Sequence, residues 1–444
     1  MKRLILFAAA LVCCIGLYAQ KNLVYEPVLL TIDKVDGRYA AGETVEVYGQ
    51  LMGEVSGELV CTVESNGDTL VKRETVELRQ GEKTLVYSGT FDKPSAVQVY
   101  VYPKDDDKQK AAVGFVVDAE GFRPGFDVPK DFEKFWRRQL KSLRKCEMEA
   151  ELKRVDIPKK YSRYEGKVEL YALKVNMPEG RPVHAYVAWP ADAKPASLPI
   201  MICPHGAGYS VSRDYNALYW GSLGVIAVDL NAHGYPDDQP KEYYDKLAEG
   251  ELKGYNTRKV VDHESFYFRL MYLRAIRAID FAVTLPLWDG RRIISNGSSQ
   301  GGAQAIAVAA LDKRVGAVCA HVPAITDLAG HVQGHRGSWP ATYAAQLKEG
   351  ENLEANMKVL PYYDGSVMIR HTKAKLWIEA GLVDAVCPPE CVISAFNIAP
   401  STDKTLYTYP YRPHGAPQMD KRVHDTWVKT VDSIRHKEML EWLK

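Results

Sequence analysis

The chain has no dominant charge. Its 57 lysines and arginines face 56 aspartates and glutamates, a formal net charge of +1. There is no basic cluster and no acidic tail, and the one run of like charge is Asp105-Asp106-Asp107. Nucleic acid and anionic membrane are therefore poor partners. Long hydrophobic runs are scarce as well. Residues 4–18 are almost wholly apolar, but they fall short of the ~20 residues a spanning helix needs, and no later stretch could cross a bilayer. Cysteine spacing of the zinc-binding kind is also missing. Cys387-Pro388-Pro389-Glu390-Cys391 has no histidine or cysteine pair at ligand distance along the chain, so no metal or other cofactor is expected.

What is present begins with an export signal. Lys2-Arg3 supplies the positive start, the apolar run follows, and Ala19 is a small residue suited to cleavage before Gln20. Residues 1–19 thus read as a signal peptide, leaving a protein destined for the periplasm or the exterior, with no membrane attachment after cleavage. Cys13 and Cys14 leave with it, and the residues before them make a poor lipoprotein site. Six cysteines remain: Cys61, Cys146, Cys203, Cys319, Cys387 and Cys391. Export permits disulfides, but their wide spacing in a large chain does not demand them, and buried free thiols are the default.

Residues 20–118 carry short runs of β-type residues around 29–32, 43–48, 57–63 and 97–102, separated by turn signals such as Asn66-Gly67-Asp68. Such spacing suggests a small immunoglobulin-like β-sandwich domain. Tyr48, Tyr100 and Tyr102 could bind carbohydrate if exposed, although aromatic residues in strands are more often structural. Residues 124–129 read as a linker. From 119 to 444 strands and helices alternate, which predicts an α/β domain with a mostly parallel sheet flanked by helices. The apolar run 225–228 ends in Asp229, as buried parallel strands do at their functional edge. Phe268, Met271, Tyr272, Ala275, Ile276, Ile279 and Val283 fall at helical spacing and predict an amphipathic helix packed on the sheet.

Between the apolar residues 292–296 and the small-residue run 302–311 lies Gly297-Ser298-Ser299-Gln300-Gly301, a G-x-S-x-G sequence. A serine on a sharp strand-to-helix turn presents its hydroxyl clear of the backbone, provided its neighbours are small. The following helix offers free N–H groups and a positive dipole end where an oxyanion would form. Ser299, rather than Ser298, is the candidate nucleophile. A Gly/Ser turn is often only a turn, so the downstream order of acid and histidine decides the matter.

A serine hydroxyl needs a base within reach and a third group to orient that base. Residues 375–380 read as a strand leading to Gly381-Leu382-Val383-Asp384, and 405–411 as a strand leading to Arg412-Pro413-His414. Ser299, Asp384 and His414 therefore follow one another in the order used by α/β-hydrolases, each just past a strand end. Glu379, inside the strand, and Glu390, at a helix start, compete with Asp384 for the acid. His424, helical and surface-facing, and His371 compete with His414. The Gln300 amide is one candidate oxyanion donor. Pro204-His205-Gly206-Ala207-Gly208-Tyr209, after the strand at 198–203, makes the Ala207 amide the other, with His205 as a packed turn residue.

Gly297-Ser298-Ser299-Gln300-Gly301-Gly302, the segment from Gly381 to Cys387-Pro388-Pro389, Tyr409-Pro410-Tyr411 before His414, and Phe266-Tyr267-Phe268-Arg269 resemble the acetyl xylan esterase/cephalosporin-C deacetylase family. The likeness runs from about Asp118 to the C-terminus. It implies an α/β-hydrolase that removes small acyl groups, chiefly acetyl, from carbohydrate hydroxyls, with Ser299, Asp384 and His414 as its triad. Members of that family often form closed hexamers, so a homo-oligomer is one expectation, and acetylated plant polysaccharide or oligosaccharide is the expected substrate. Two segments depart from the family: Asn231-Ala232-His233 stands where arginine-glycine-glutamine is usual, and His205-Gly206-Ala207 lacks the family's tyrosine. Both border the expected pocket. A serine peptidase of the same fold and a non-catalytic carbohydrate-binding protein are the alternatives.

Overall fold

A computed structural model describes residues 23–444, apart from 68, 210–211, 213, 258–259, 261, 341–352 and 416–419. The expected signal peptide, 1–19, lies outside the described residues.

The N-terminal region forms two sheets. β1 (Val28–Thr31), β3 (Val45–Leu51) and β6 (Lys83–Gly89) make an antiparallel three-stranded sheet in the order β1-β3-β6, and β2 (Arg38–Tyr39), β4 (Leu59–Ser65), β5 (Thr69–Val76), β7 (Ser95–Pro103) and β8 (Ala111–Val117) make a five-stranded one in the order β2-β8-β7-β4-β5. Alternate residues of β7 and β8 (Val97, Val99, Val101, Val113, Phe115 and Val117) pack with Val45 and Val47 of β3 into one core, the two-residue period of a strand putting them on one face. The other face of β7 is buried too. Tyr100 and Tyr102 pack there against Val383, and they are 4% and 5% exposed. That placement removes both from any carbohydrate-binding surface. Tyr48 remains partly accessible, with its hydroxyl on Glu46 at 2.7 Å.

The rest of the chain builds a nine-stranded sheet in the order β17-β16-β15-β14-β12-β13-β11-β10-β9. Its strands are β9 (Ala150–Arg154), β10 (Val168–Val175), β11 (Val183–Pro190), β12 (Leu198–Pro204), β13 (Ile226–Leu230), β14 (Trp288–Ser298), β15 (Ala317–His321), β16 (Lys375–Gly381) and β17 (Lys404–Tyr409). From β13 to β17 all neighbours are parallel, while β11, β10 and β9 are antiparallel to theirs. The central strands β12 and β13 are buried at every position, as expected where helices cover both faces. α1 (Phe132–Lys145) precedes the first strand of this sheet. Crossovers are supplied by α2 (Asp214–Gly221), α3 (Lys241–Glu249), α4 (Tyr267–Ala282) and α5 (Gln300–Leu311), and further helices lie at Pro389–Ile398, Lys421–Trp427 and Ser433–Trp442.

Two expectations need correction. α4 is buried almost all round rather than on one stripe, and its arginines are buried with it. Arg274 donates to the carbonyls of Arg181 and Ala232 at 3.1 and 3.2 Å, and Arg277 to those of Asn176 and Cys146 at 3.0 and 3.2 Å. Guanidinium groups with carbonyl partners can be enclosed where free ones could not. The linker at 124–129 is docked, not free: Phe126 is buried and the Gly125 amide donates to Asp327 Oδ1 at 2.8 Å. Its polar backbone is held by core side chains, so proline and glycine content alone misled.

Candidate active site

The parallel strands end along one edge of the sheet, and the turns after β12, β14, β16 and β17 meet there. At the end of β14, Ser299 takes φ 80° and ψ −114° and α5 begins at the next residue. A non-glycine residue rarely adopts such a backbone, and it persists only when its surroundings fix it. Here the Ser299 amide donates to the His321 carbonyl at 3.0 Å, and its own carbonyl accepts from the amides of Ala324 and Ala303 at 2.9 and 3.0 Å. The flanking glycines have a steric cause. A Cβ on Gly297 would lie 2.4 Å from the Gly301 carbonyl group, and one on Gly301 would lie 2.4 Å from the Pro204 oxygen. Ser298, last in β14, is exposed and makes no such turn.

Ser299, His414 and Asp384 are brought into one hydrogen-bonded line. Ser299 Oγ lies 2.9 Å from His414 Nε2, and His414 Nδ1 lies 2.9 Å from Asp384 Oδ2. The other carboxylate oxygen of Asp384 accepts the amides of Val386 and Cys387, each at 2.8 Å. With Nδ1–H donating to the carboxylate, Nε2 keeps its lone pair toward the hydroxyl, the arrangement that can take a proton from serine. Burial acts to lower the imidazole's proton affinity, but the adjacent Asp384 carboxylate outweighs it and holds His414 well above the ordinary histidine value.

The rival residues do other work. Glu379 is fully buried and accepts from Arg412 Nε and Trp427 Nε1, each at 3.0 Å, from Arg435 Nη1 at 2.5 Å and from His321 Nδ1 at 3.1 Å. Glu390 is fully buried in the helix Pro389–Ile398, and burial pushes its carboxyl above the usual range. His371 stacks on Phe132 with ring centres 4.4 Å apart, and His424 sits in the helix Lys421–Trp427 beside Trp427.

The turn after β12 is clamped to the start of α5. Gln304 Nε2 donates to the His205 carbonyl at 2.9 Å, and Gln300 Nε2 to the Gly206 carbonyl at 3.3 Å, while Gln300 Oε1 accepts from Tyr255 Oη at 2.5 Å. Gln300 opens α5, so its amide is among those with no partner inside the helix. Ala207 follows directly after the clamped Gly206. Sequence reasoning missed the side chains of Gln300 and Gln304; their four-residue spacing on one helix face was the available signal.

Asn231 and His233 tie the next loop to this turn. Asn231 Oδ1 accepts the His233 amide at 2.9 Å, and its Nδ2 donates to Asp237 Oδ1 at 2.9 Å. His233 Nε2 meets the Gly208 carbonyl at 2.7 Å, and Nδ1 meets Tyr267 Oη at 2.8 Å. A carbonyl can only accept, so Nε2 carries the proton and Nδ1 accepts from the tyrosine. Burial pulls His233 down to about 3, leaving it neutral.

A family model described as Acetyl xylan esterase (AXE1) matches residues 118–430, and it begins one residue after β8 ends. The chain belongs to the acetyl xylan esterase family. It is therefore a carboxylic ester hydrolase of the α/β-hydrolase fold. The acetyl esterase Axe7A of Xylanibacter ruminicola is 28% identical over 357 residues, which span 80% of this esterase and 78% of that protein. An acetyl xylan esterase from Paenibacillus sp. R4 is 25% identical at a TM-score of 0.59, covering 73% of this esterase and 98% of the solved chain. Acetyl xylan esterase 1 from Thermoanaerobacterium sp. JW/SL YS485 shares the fold at 23% identity and a TM-score of 0.57, with the same coverage of 73% and 98%.

Elsewhere in the esterase, Asp327, His335 and Cys391 bring ligand-type atoms within 4.8 Å of one another, a grouping that spacing along the chain could not show. These atoms are already engaged. His335 Nδ1 and Cys391 Sγ meet the Arg336 carbonyl at 3.0 and 3.2 Å, and Ser394 Oγ donates to Asp327 at 3.2 Å. All six expected thiols are free, and five are buried. Among the described residues, no helix is long and apolar enough to cross a membrane.

Proposed function

We propose that this protein is an exported serine esterase that removes acetyl groups from acetylated plant polysaccharide or oligosaccharide, xylan foremost. The observation that carries the reading is the line Ser299–His414–Asp384, with 2.9 Å at each link, at a strand-to-helix turn. Ser299 Oγ attacks the ester carbonyl while His414 Nε2 takes the hydroxyl proton. Asp384 holds the opposite ring nitrogen and stabilises the imidazolium as it forms. The amides of Gln300 and Ala207 receive the oxyanion. His414 then returns the proton to the departing sugar oxygen, leaving an acetyl-enzyme. Water, deprotonated by the same imidazole, releases acetate and restores Ser299.

Family membership supports the acetyl ester, and the names of the relatives support xylan. The reading of export rests on residues 1–19, and the domain division (20–118 as an immunoglobulin-like sandwich, 119–444 as the hydrolase) rests on the two N-terminal sheets sharing one core. Ser299→Ala tests the mechanism. It should lose roughly 10⁴-fold or more in turnover of an aryl acetate while keeping its thermal midpoint; retained turnover would sink the assignment. Acetate release from acetylated xylan, pectin and mannan by the wild type tests the substrate. Cleavage of a peptide anilide in preference to the aryl ester would favour a peptidase instead.

A further inference from the structure

The residues just before Asp384 and His414 pack against the N-terminal sheets as well as against the hydrolase core. On the acid side, Gln98 Nε2 of β7 donates to the Leu382 carbonyl at 3.2 Å, and this glutamine is 4% exposed. Val383, the residue preceding Asp384, packs among Leu23, Val60, Tyr100 and Tyr102. On the histidine side, the Gly114 amide of β8 donates to the Pro410 carbonyl at 2.8 Å, and Tyr411 packs against the N-terminal core, with its hydroxyl on the Ile32 backbone. The approach is too close for side chains. A Cβ on Gly114 would sit 2.1 Å from the Leu382 oxygen, and one on Gly37 would sit 2.7 Å from Leu382 Cδ1. The two loops are also joined to each other, the Leu382 amide donating to Tyr409 O at 3.1 Å and the Val383 amide to Arg412 O at 3.3 Å.

We propose that the N-terminal sheets are a positioning element for catalysis: through Gln98, Gly114 and the socket around Val383 and Tyr411, they set the separation of the Asp384 and His414 loops. This deepens the triad reading above and rests on it. A short loop anchored two to four residues from its functional group passes on much of any displacement of the anchor. Loss of the Gln98 hydrogen bond should therefore act on the geometry of the acid–histidine pair and not on substrate binding. Gln98 touches neither substrate nor reacting atoms, so it is a positioning residue.

The test compares Gln98→Leu and Tyr411→Phe with Asn397→Ala. Asn397 donates to the carbonyls of Ala119 and Phe122 at 2.8 and 3.1 Å, so its loss loosens the same junction away from both loops. Each full-length variant is assayed for kcat and KM on an aryl acetate, for the rate of Ser299 labelling by an organophosphonate, and for its thermal midpoint. Gln98→Leu is expected to lower kcat roughly tenfold with KM within twofold, and to slow labelling by the same factor. Tyr411→Phe should do the same to a lesser degree, and it keeps the proposal testable if Gln98→Leu does not fold. Asn397→Ala should lower the midpoint and leave kcat alone. Unchanged kcat in Gln98→Leu and Tyr411→Phe, or losses that track the midpoint across all three variants, would overturn the proposal. Ser299→Ala run alongside separates the two ideas: if it retains turnover the triad reading fails, whereas an inactive Ser299→Ala with normal Gln98→Leu removes only the positioning role.

Discussion

Arg412 donates through Nε to Glu379 Oε1 at 3.0 Å, and the same guanidinium reaches the carbonyls of Pro413 and His414 through Nη1 at 2.9 and 3.2 Å. A fully buried carboxylate on β16 thus braces the backbone that carries His414, with Arg435 and His321 completing its shell. Glu379 competed for the acid's place in the sequence, and in the fold it supports the histidine from behind.

Glu379→Gln should destabilise the protein by about 3–5 kcal/mol, because it strands two buried arginines. Burial would raise the Glu379 carboxyl, but Arg435 and Arg412 outweigh it and hold it well below the usual range. A depressed carboxylate contributes stability above its unfolded value of ~4.3, and that contribution is lost as pH falls through the folded value. Urea midpoints of wild type and variant should accordingly differ by a constant amount near neutrality and converge in acid. A gap that persists unchanged into strong acid would count against this pairing.

Asp384→Asn should lower kcat roughly 10⁴-fold, since the imidazole loses both its orienting acceptor and its counter-charge. Because His414 is held above the ordinary histidine value, the acid limb of kcat/KM in the wild type should lie above ~6.5 and drop in the variant. The stability sign is opposite. A raised histidine contributes stability below its unfolded value and loses it as pH rises through the folded one, so this pair stabilises least where the enzyme works fastest. A pH–rate profile with its acid limb unmoved by Asp384→Asn would rule out the assignment.

His233→Ala should cost about 1–3 kcal/mol by stranding the Gly208 carbonyl and Tyr267 hydroxyl. It should also lower kcat, because the loop holding Ala207 loses its far anchor; an oxyanion donor is worth roughly 10²–10³ when removed whole, and displacement should cost less. At about 3, His233 does not titrate in the working range, so the loss should be the same at every pH from about 5 to 9. Kinetics across that range decide it: a pH-dependent deficit would mean that the ring charges during turnover.

Gly301→Ala should abolish folding or activity, since its Cβ would meet the Pro204 oxygen at 2.4 Å and that oxygen belongs to a buried central strand. Gly290→Ala is the comparison: nothing lies within 4 Å of a Cβ there, although its φ of +78° makes the substitution strained. Circular dichroism melts of the two should differ sharply. Equal melts would show that β12 yields at the elbow.

Much of the site was legible along the chain. The elbow is a local object: small residues at 297, 301 and 302, an apolar strand before and an alanine-rich helix after specify a tight turn within a dozen residues. The order Ser299, Asp384, His414 was legible for a related reason, as each follows a strand whose apolar run marks its end. Whether Tyr100 and Tyr102 were exposed stayed open along the chain, because alternation along β7 shows two faces without saying what covers the second. The burial of the α4 arginines was illegible for the same reason; the carbonyls that accept from them lie in distant segments.

By itself, then, the sequence determined the strand-to-helix turn at Ser299, the α/β alternation and the candidates for acid and base, all of which depend on residues near one another in the chain. It already favoured Asp384, past the strand end, over Glu379 inside it. Only the tertiary structure put Asp384 within hydrogen-bond distance of His414 and set the N-terminal sheets against both loops. Gln98 and Leu382 are 284 positions apart, and Arg412 and Glu379 are 33. Contacts of that kind are fixed by sheet order and by how closely two backbones can approach, and neither leaves a period or a spacing in the chain for a reader to find.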